Sequence, residues 1–227
     1  MKKKALALVA VIAIPYLFYF ALNTGKAPVA KNKAANVNYK TEWKNFYKNI
    51  DSVANQIKKE HNGSFVNVFS NDIAGSESLK DAFKEKLGYT KDCSAASYRG
   101  GKGRGASVDG CWHGDRKWTY LNGSLATANS GGGFIMKNGA MVVFQMDRSD
   151  CTEPAGAYKK CGSLHVDVNG MKEPNTIGVD IFGANITKNG LMPFRAEKLY
   201  DPEMDCNPNN RFAQNRGWGC SAKYLAE

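Results

Sequence analysis

Several signatures are missing from this sequence. No G-x-S-x-G is present, which removes the strand–turn–helix serine nucleophile of one large hydrolase class. Histidine is scarce: His61, His113 and His165 are the full set. A hydrolase of the triad type needs Ser or Cys beside a base and an orienting acid, and no such combination stands out. His61 follows a Lys-rich helix end, where it suits the helix dipole. His113 sits beside Trp112 and near Asp115 in a loop, and His165 is expected to alternate outward on a strand. Gly100 to Gly105 reads Gly-Gly-Lys-Gly-Arg-Gly but lacks the order G-x-x-x-x-G-K-[ST], so it reads as a loop rather than a phosphate cradle. No two cysteines stand at C-x-x-C spacing, whereas zinc sites usually bring two ligands close in sequence. There is no internal repeat and no low-complexity tail. No catalytic residue is expected.

What is present begins with cysteine. Cys93, Cys111, Cys151, Cys161, Cys206 and Cys220 make an even set of six. Behind a membrane-targeting segment they point to an oxidising compartment and three disulfides. Six cysteines allow about 15 connectivities. Sequential pairing, Cys93–Cys111, Cys151–Cys161 and Cys206–Cys220, closes the shortest loops, each removing roughly 3 kcal/mol of unfolded-state entropy.

Residues 5–22 contain no charge. As a helix they span roughly 27 Å, close to a hydrocarbon core of about 30 Å. Lys2, Lys3 and Lys4 belong on the cytoplasmic side, which puts the remainder outside. Pro15 should kink such a helix. A cleaved signal peptide is the rival reading, with Pro28-Val29-Ala30 its best cleavage candidate. Residues 23–36 read as a flexible tether. Residues 37–227, about 190 in all, fit one globular domain. The net charge is +10, with the cations scattered rather than gathered on one face. That pattern fits a solvated surface and argues against nucleic acid as the partner.

Tyr39, Trp43, Phe46, Ile50, Val53 and Ile57 step by four and three residues, which predicts an amphipathic helix over 39–60, with Asn38 ahead and Gly63 behind. Phe65–Phe69 is a short strand candidate. Leu79, Phe83 and Leu87 predict a second helix, capped by Ser76 or Ser78 and ended by Gly88. Residues 94–116 read as a surface loop. Phe134–Met136 and Met141–Met146 flank Asn138-Gly139, a strong hairpin signal. Leu164, Val166 and Val168 alternate with His165 and Asp167, predicting a half-buried strand. Ile177–Ile186 and Leu191–Phe194 follow, separated by Lys188-Asn189-Gly190. Consecutive hairpins of this kind make an antiparallel meander. Residues 195–227 read as loop, closed by Cys206 and Cys220.

Four stretches in this order carry a resemblance: Leu79 to Cys93; Cys161-Gly-Ser-Leu-His-Val-Asp-Val-Asn-Gly170; Pro174-Asn-Thr-Ile-Gly-Val-Asp-Ile-Phe182 with Ile186 to Pro193; and Gly217-Trp-Gly-Cys-Ser-Ala222. They cover most of residues 75–225, and the chain resembles the type IV pilin and type II secretion pseudopilin superfamily. The resemblance implies an α+β fold in which one long N-terminal helix, membrane-spanning and then amphipathic, packs on an antiparallel sheet with disulfide-bounded loops. It implies a non-catalytic bacterial subunit, anchored in the inner membrane with its N-terminus cytoplasmic and its globular domain periplasmic or extracellular. Its partners would be other pilin-like or secretion-system subunits. The family's Gly-Phe processing junction and following glutamate are missing here: Lys4 precedes Ala5, and residues 5–22 hold no acid. That start fits a pilin-like domain that stays anchored.

Two binding readings stand beside this one. Asp167, Asn169 and Asp180, with Glu173 and Asn175, place hard oxygen donors around a turn, as calcium requires, and some related pseudopilins hold calcium in the sheet domain. Asp-x-Asn-Gly is equally a good plain turn. Trp112, Trp118 and Tyr120 form either a sugar-stacking surface or a cover for the sheet. The first option makes the chain a membrane-tethered module for a glycan or other surface ligand.

Overall fold

The computed structural model describes residues 32–93, 111–112, 118–126, 132–196, 201–209, 212 and 216–227. The expected anchor 5–22, most of the tether, the Gly100–Gly105 run, His113 and Asp115 lie outside the described residues. The chain divides into two units, Met1–Lys33 and Ala34–Glu227, and the sheet lies in the second.

Helix α1 runs Asn32–Glu60. Its apolar stripe is buried: Trp43, Ile50 and Ile57 are fully enclosed, with Phe46 and Val53 beside them. Trp43 stacks on Phe182 of the sheet at 5.1 Å, and its indole Nε1 donates to the carbonyl of Ser221 at 2.9 Å. Residues off the stripe are largely Lys, Asn, Glu and Asp, which is the pattern of a helix lying on a core, not within lipid.

The expectation of a single long N-terminal helix, membrane-spanning and then amphipathic, is corrected. The helix described begins at Asn32, and among the described residues no helix is long and apolar enough to cross a membrane. The architecture is a mixed one of several helices on antiparallel sheet. Helix α2, Ile73–Leu87, starts earlier than expected, because the Asp72 carboxylate rather than Ser76 or Ser78 caps it, accepting from Gly75 N at 2.8 Å. Phe83 of α2 stacks on Phe144 at 4.9 Å. Phe65–Phe69 is a turn segment, not a strand. Its two phenylalanines are buried all the same, and Asn67 takes φ +58°, which breaks the extended run.

The main sheet has six strands in the order β1 (Tyr89–Cys93), β2 (Gly132–Met136), β3 (Met141–Met146), β6 (Gly162–Asp167), β7 (Ile181–Thr187) and β8 (Gly190–Pro193). Every pairing is antiparallel. It is the expected meander, with one insertion: β4 (Glu153–Ala155) and β5 (Tyr158–Lys160) form a separate two-stranded sheet between β3 and β6. The β2–β3 turn falls at Asn138-Gly139, and Gly139 has φ +89°, the left-handed geometry that the Asn-Gly signal anticipates. The strand expected over Ile177–Ile186 is shorter, since residues 174–180 fold into a turn before β7 begins.

Alternation along the strands separates two faces. Val142, Phe144, Leu164, Val166, Phe182, Ala184 and Ile186 share one apolar cluster with the stripes of α1 and α2. Met141, Val143 and Ile181 share a second cluster with Trp112, Trp118, Ile177 and the Cys93–Cys111 pair. All three sequential disulfides are formed. The C-terminal region is not all loop: α3 spans Pro202–Asp205 and α4 spans Cys220–Ala226.

Candidate functional site

Two places on the second sheet face gather polar chemistry. The first is the turn between β6 and β7. Asp167 and Asp180 are both fully buried. Asp180 staples the turn, its carboxylate accepting from Asn175 N at 2.8 Å and Thr176 N at 2.6 Å. Asp167 accepts from Asn169 N at 3.1 Å, and Asn169 Nδ2 donates to the carbonyl of Glu173 at 3.3 Å. Burial pushes the Asp167 carboxyl up to about 8. Burial, together with the charge of Asp167, pushes Asp180 up to about 7. The side-chain oxygens of Asn169 and Asn175 are buried without a hydrogen-bond partner. The structure therefore brings Asp167, Asn169, Asn175 and Asp180 into one turn and leaves Glu173 exposed. Among the described residues no three of His, Cys, Asp and Glu cluster as metal ligands. The donor set is two carboxylates with two amide oxygens, hard oxygen chemistry that suits calcium and not zinc.

The second place is a cleft of about 380 Å³. Its floor is a cross-strand row: Gln145 of β3 lies opposite Ser163 of β6, which lies opposite Asn185 of β7. The neighbouring row is Val143, His165 and Gly183. A Cβ on Gly183 would meet the Phe194 ring at 2.1 Å, so glycine there lets Phe194 lie flat over the strand. The β4–β5 hairpin forms one wall. It is closed at its base by Cys151–Cys161 and fastened by Asn185 Nδ2, which donates to the Tyr158 hydroxyl at 2.9 Å. The other wall is aromatic: Phe194 and Trp218 meet edge to face at 5.1 Å, and both pack on His165 at 5.1 and 5.0 Å.

Trp218 is held by the Cys206–Cys220 segment. The buried Asp205 carboxylate accepts from Arg216 N at 2.9 Å, Gly217 N at 3.1 Å and Gly219 N at 3.0 Å. Arg195 approaches the same carboxylate at 3.4 Å. Lys160 pairs with Asp147 at 2.7 Å, and Gln145 Nε2 donates to Asp147 at 3.1 Å. Lys160 and Arg195, the two cations that line the cleft, are thus each matched by a carboxylate.

His165 does not alternate outward into solvent. It sits on the face away from the helices, as its position in the strand predicts, but aromatic rings and the hairpin roof that face, leaving it 7% exposed. Burial, helped by the Lys160 charge, drives its imidazole down to about 3. It is therefore neutral, offering one donor and one acceptor. Of the three residues read either as a sugar-stacking surface or as a cover for the sheet, Trp112 and Trp118 pack as core on the sheet and Tyr120 reaches the cleft. Tyr158, Phe194 and Trp218 were not anticipated there. No pattern in the sequence marks them: Tyr158 lies in a three-residue strand, and Phe194 and Trp218 lie outside the strands. No protein-family model matches this chain, and neither does any curated protein or solved structure.

Proposed function

We propose that this chain is a non-catalytic, pilin-like interaction subunit of a pilus or type II secretion-type assembly, displayed outside the cytoplasm and held at the bacterial inner membrane by residues 5–22. The observation that carries the reading is the α1 stripe seated on an antiparallel meander whose loops are bounded by disulfides. The four stretches that resemble pilins and pseudopilins support it. So does the charge-free segment ahead of α1. Other pilin-like or secretion-system subunits are the partners this reading names.

The test is the mass and N-terminus of the native protein, measured separately in sheared surface filaments and in the membrane fraction. A subunit in the sheared fraction supports filament membership. An intact Met1 found only in the membrane supports a tethered domain that does not polymerise. A chain free in solution and beginning near residue 31 overturns the anchored reading.

Calcium belongs to the same proposal. Asp167, Asn169 and Asp180 are its ligands, with Asn175 supplying a further oxygen. The buried amide oxygens and the two crowded carboxyls support this reading, because a divalent cation would satisfy the first and neutralise the second. A melting temperature that rises with calcium and falls with chelator is expected. An unchanged one leaves the turn as plain Asp-stapled structure.

A further inference from the structure

We propose that the cleft between the β4–β5 hairpin and Trp218 binds a neutral saccharide unit. The inference rests on the cleft alone and stands or falls separately from the pilin-like reading. A pyranose presents an apolar C–H face and a rim of hydroxyls, so its site needs an aromatic wall beside neutral hydrogen-bonding groups. The cleft has both. Tyr158, Phe194 and Trp218 are each half-buried with ring surface remaining, the state in which an amphipathic ring gains most from a ligand. The floor row of Gln145, Ser163 and Asn185 carries hydroxyl and amide groups at adjacent strand positions. Gln145 spends its Nε2 on Asp147, which leaves a carbonyl oxygen to accept from a hydroxyl.

Charge decides against an anionic ligand. Lys160 is engaged by Asp147 and Arg195 approaches Asp205, so a phosphate or carboxylate entering the cleft would have to break a pair and would face Asp147 itself. The volume of about 380 Å³ falls within the roughly 300–1,000 Å³ of small-ligand sites. The floor is fixed by a regular sheet and the hairpin wall by a disulfide, so little ordering remains to be done on binding. Polar residues line this sheet face, where Gln145 and Asn185 also brace Asp147 and Tyr158. Apolar ones fill the matching rows next to α1 and α2.

The experiment titrates the full chain, in detergent, with glucose, galactose, N-acetylglucosamine, maltose, lactose and chitobiose. Tryptophan fluorescence and ligand-observed saturation-transfer NMR are the readouts. Inorganic phosphate and sialyllactose are run in parallel. Saturable binding of at least one neutral sugar is expected, weakened tenfold or more in Gln145→Ala and in Tyr158→Ala. Lys91→Ala, on the far edge strand, should bind as the parent does. Far-UV circular dichroism and a melt establish that each variant is folded, and Gln145→Leu stands in if the alanine variant is not. The proposal is overturned if no neutral sugar binds, if the cleft variants bind as tightly as the parent, or if phosphate or sialyllactose is the preferred ligand. None of these outcomes touches the filament and membrane fractionation.

Discussion

His165 shows what a single side chain's surroundings do to its protonation. Free imidazole titrates near 6.5, whereas the buried one is driven down to about 3. Between those values the unfolded chain binds a proton that the native one does not, so stability rises with pH across that window and is lost as pH falls through it. Denaturant melts from pH 7 to 4 should therefore slope less steeply in His165→Gln than in the parent. Asp167 works in the opposite sense. Its folded carboxyl titrates near 8, far above an ordinary carboxyl. The native state holds a proton that the unfolded state has released between about pH 4 and 8. Its share of stability is present below that range and lost as pH rises through it. In chelator, Asp167→Asn should melt higher than the parent at pH 8 and close to it at pH 4, as read by calorimetry. What the sequence showed at these positions was the face, not the environment. A period of two places His165 and Asp167 together on one side of β6. Whether that side is wet depends on a hairpin and a tryptophan distant in sequence.

Elements are joined by buried charge as well as by apolar packing. Lys80 and Lys84 of α2 are almost fully enclosed. Lys80 meets Asp92 of β1 at 2.6 Å and Glu77 at 2.8 Å. Lys84 meets the other oxygen of Asp92, and Asp81 at 2.9 Å. Asp92 therefore couples α2 to the edge strand. Asp92→Ala should cost about 1–3 kcal/mol in urea unfolding, because it strands hydrogen-bonding ammonium groups that Glu77 and Asp81 only partly compensate. Asp205 has a comparable role in the C-terminal region, tying α3 to the segment before α4. Asp205→Ala removes the acceptor of two buried N–H groups, those of Gly217 and Gly219, and of the part-buried Arg216 N–H, so a loss of about 2–4 kcal/mol is expected. Trp218 fluorescence should shift to the red as its loop loosens. Legibility at this scale followed regularity. The α1 stripe and the Asn138-Gly139 hairpin were readable because apolar spacing or turn chemistry marks them. Strand β1 was not: Tyr89, Thr90, Lys91 and Asp92 are all exposed, so it carries no alternation, and only pairing with β2 defines it. The β4–β5 strands are three residues each, too short to show a period. Helix α4 was hidden among Gly and Cys.

Across the main sheet the pairing of strands is local. Each sheet neighbour is the next strand in the chain, apart from the step over β4–β5. The disulfides likewise close short intervals of 18, 10 and 14 residues. Each such link limits the unfolded chain by about 3 kcal/mol, comparable in sum to the stability of an ordinary domain. Reduction with dithiothreitol should therefore lower the melting temperature by 15 °C or more, of the order expected from roughly 4 °C per kcal/mol or less at this size. A scan before and after thiol blocking checks it. The meander and the cysteine pairing were legible for this reason: neighbours in sequence are neighbours in space. Several contacts between the helices, loops and sheet are exceptions. Trp43 of α1 donates to Ser221 of α4 across 178 positions. In the order of synthesis every strand is made between these two residues, so the tryptophan waits for its acceptor until the entire sheet has left the ribosome. A chain built this way postpones its final closure until its last helix has been made.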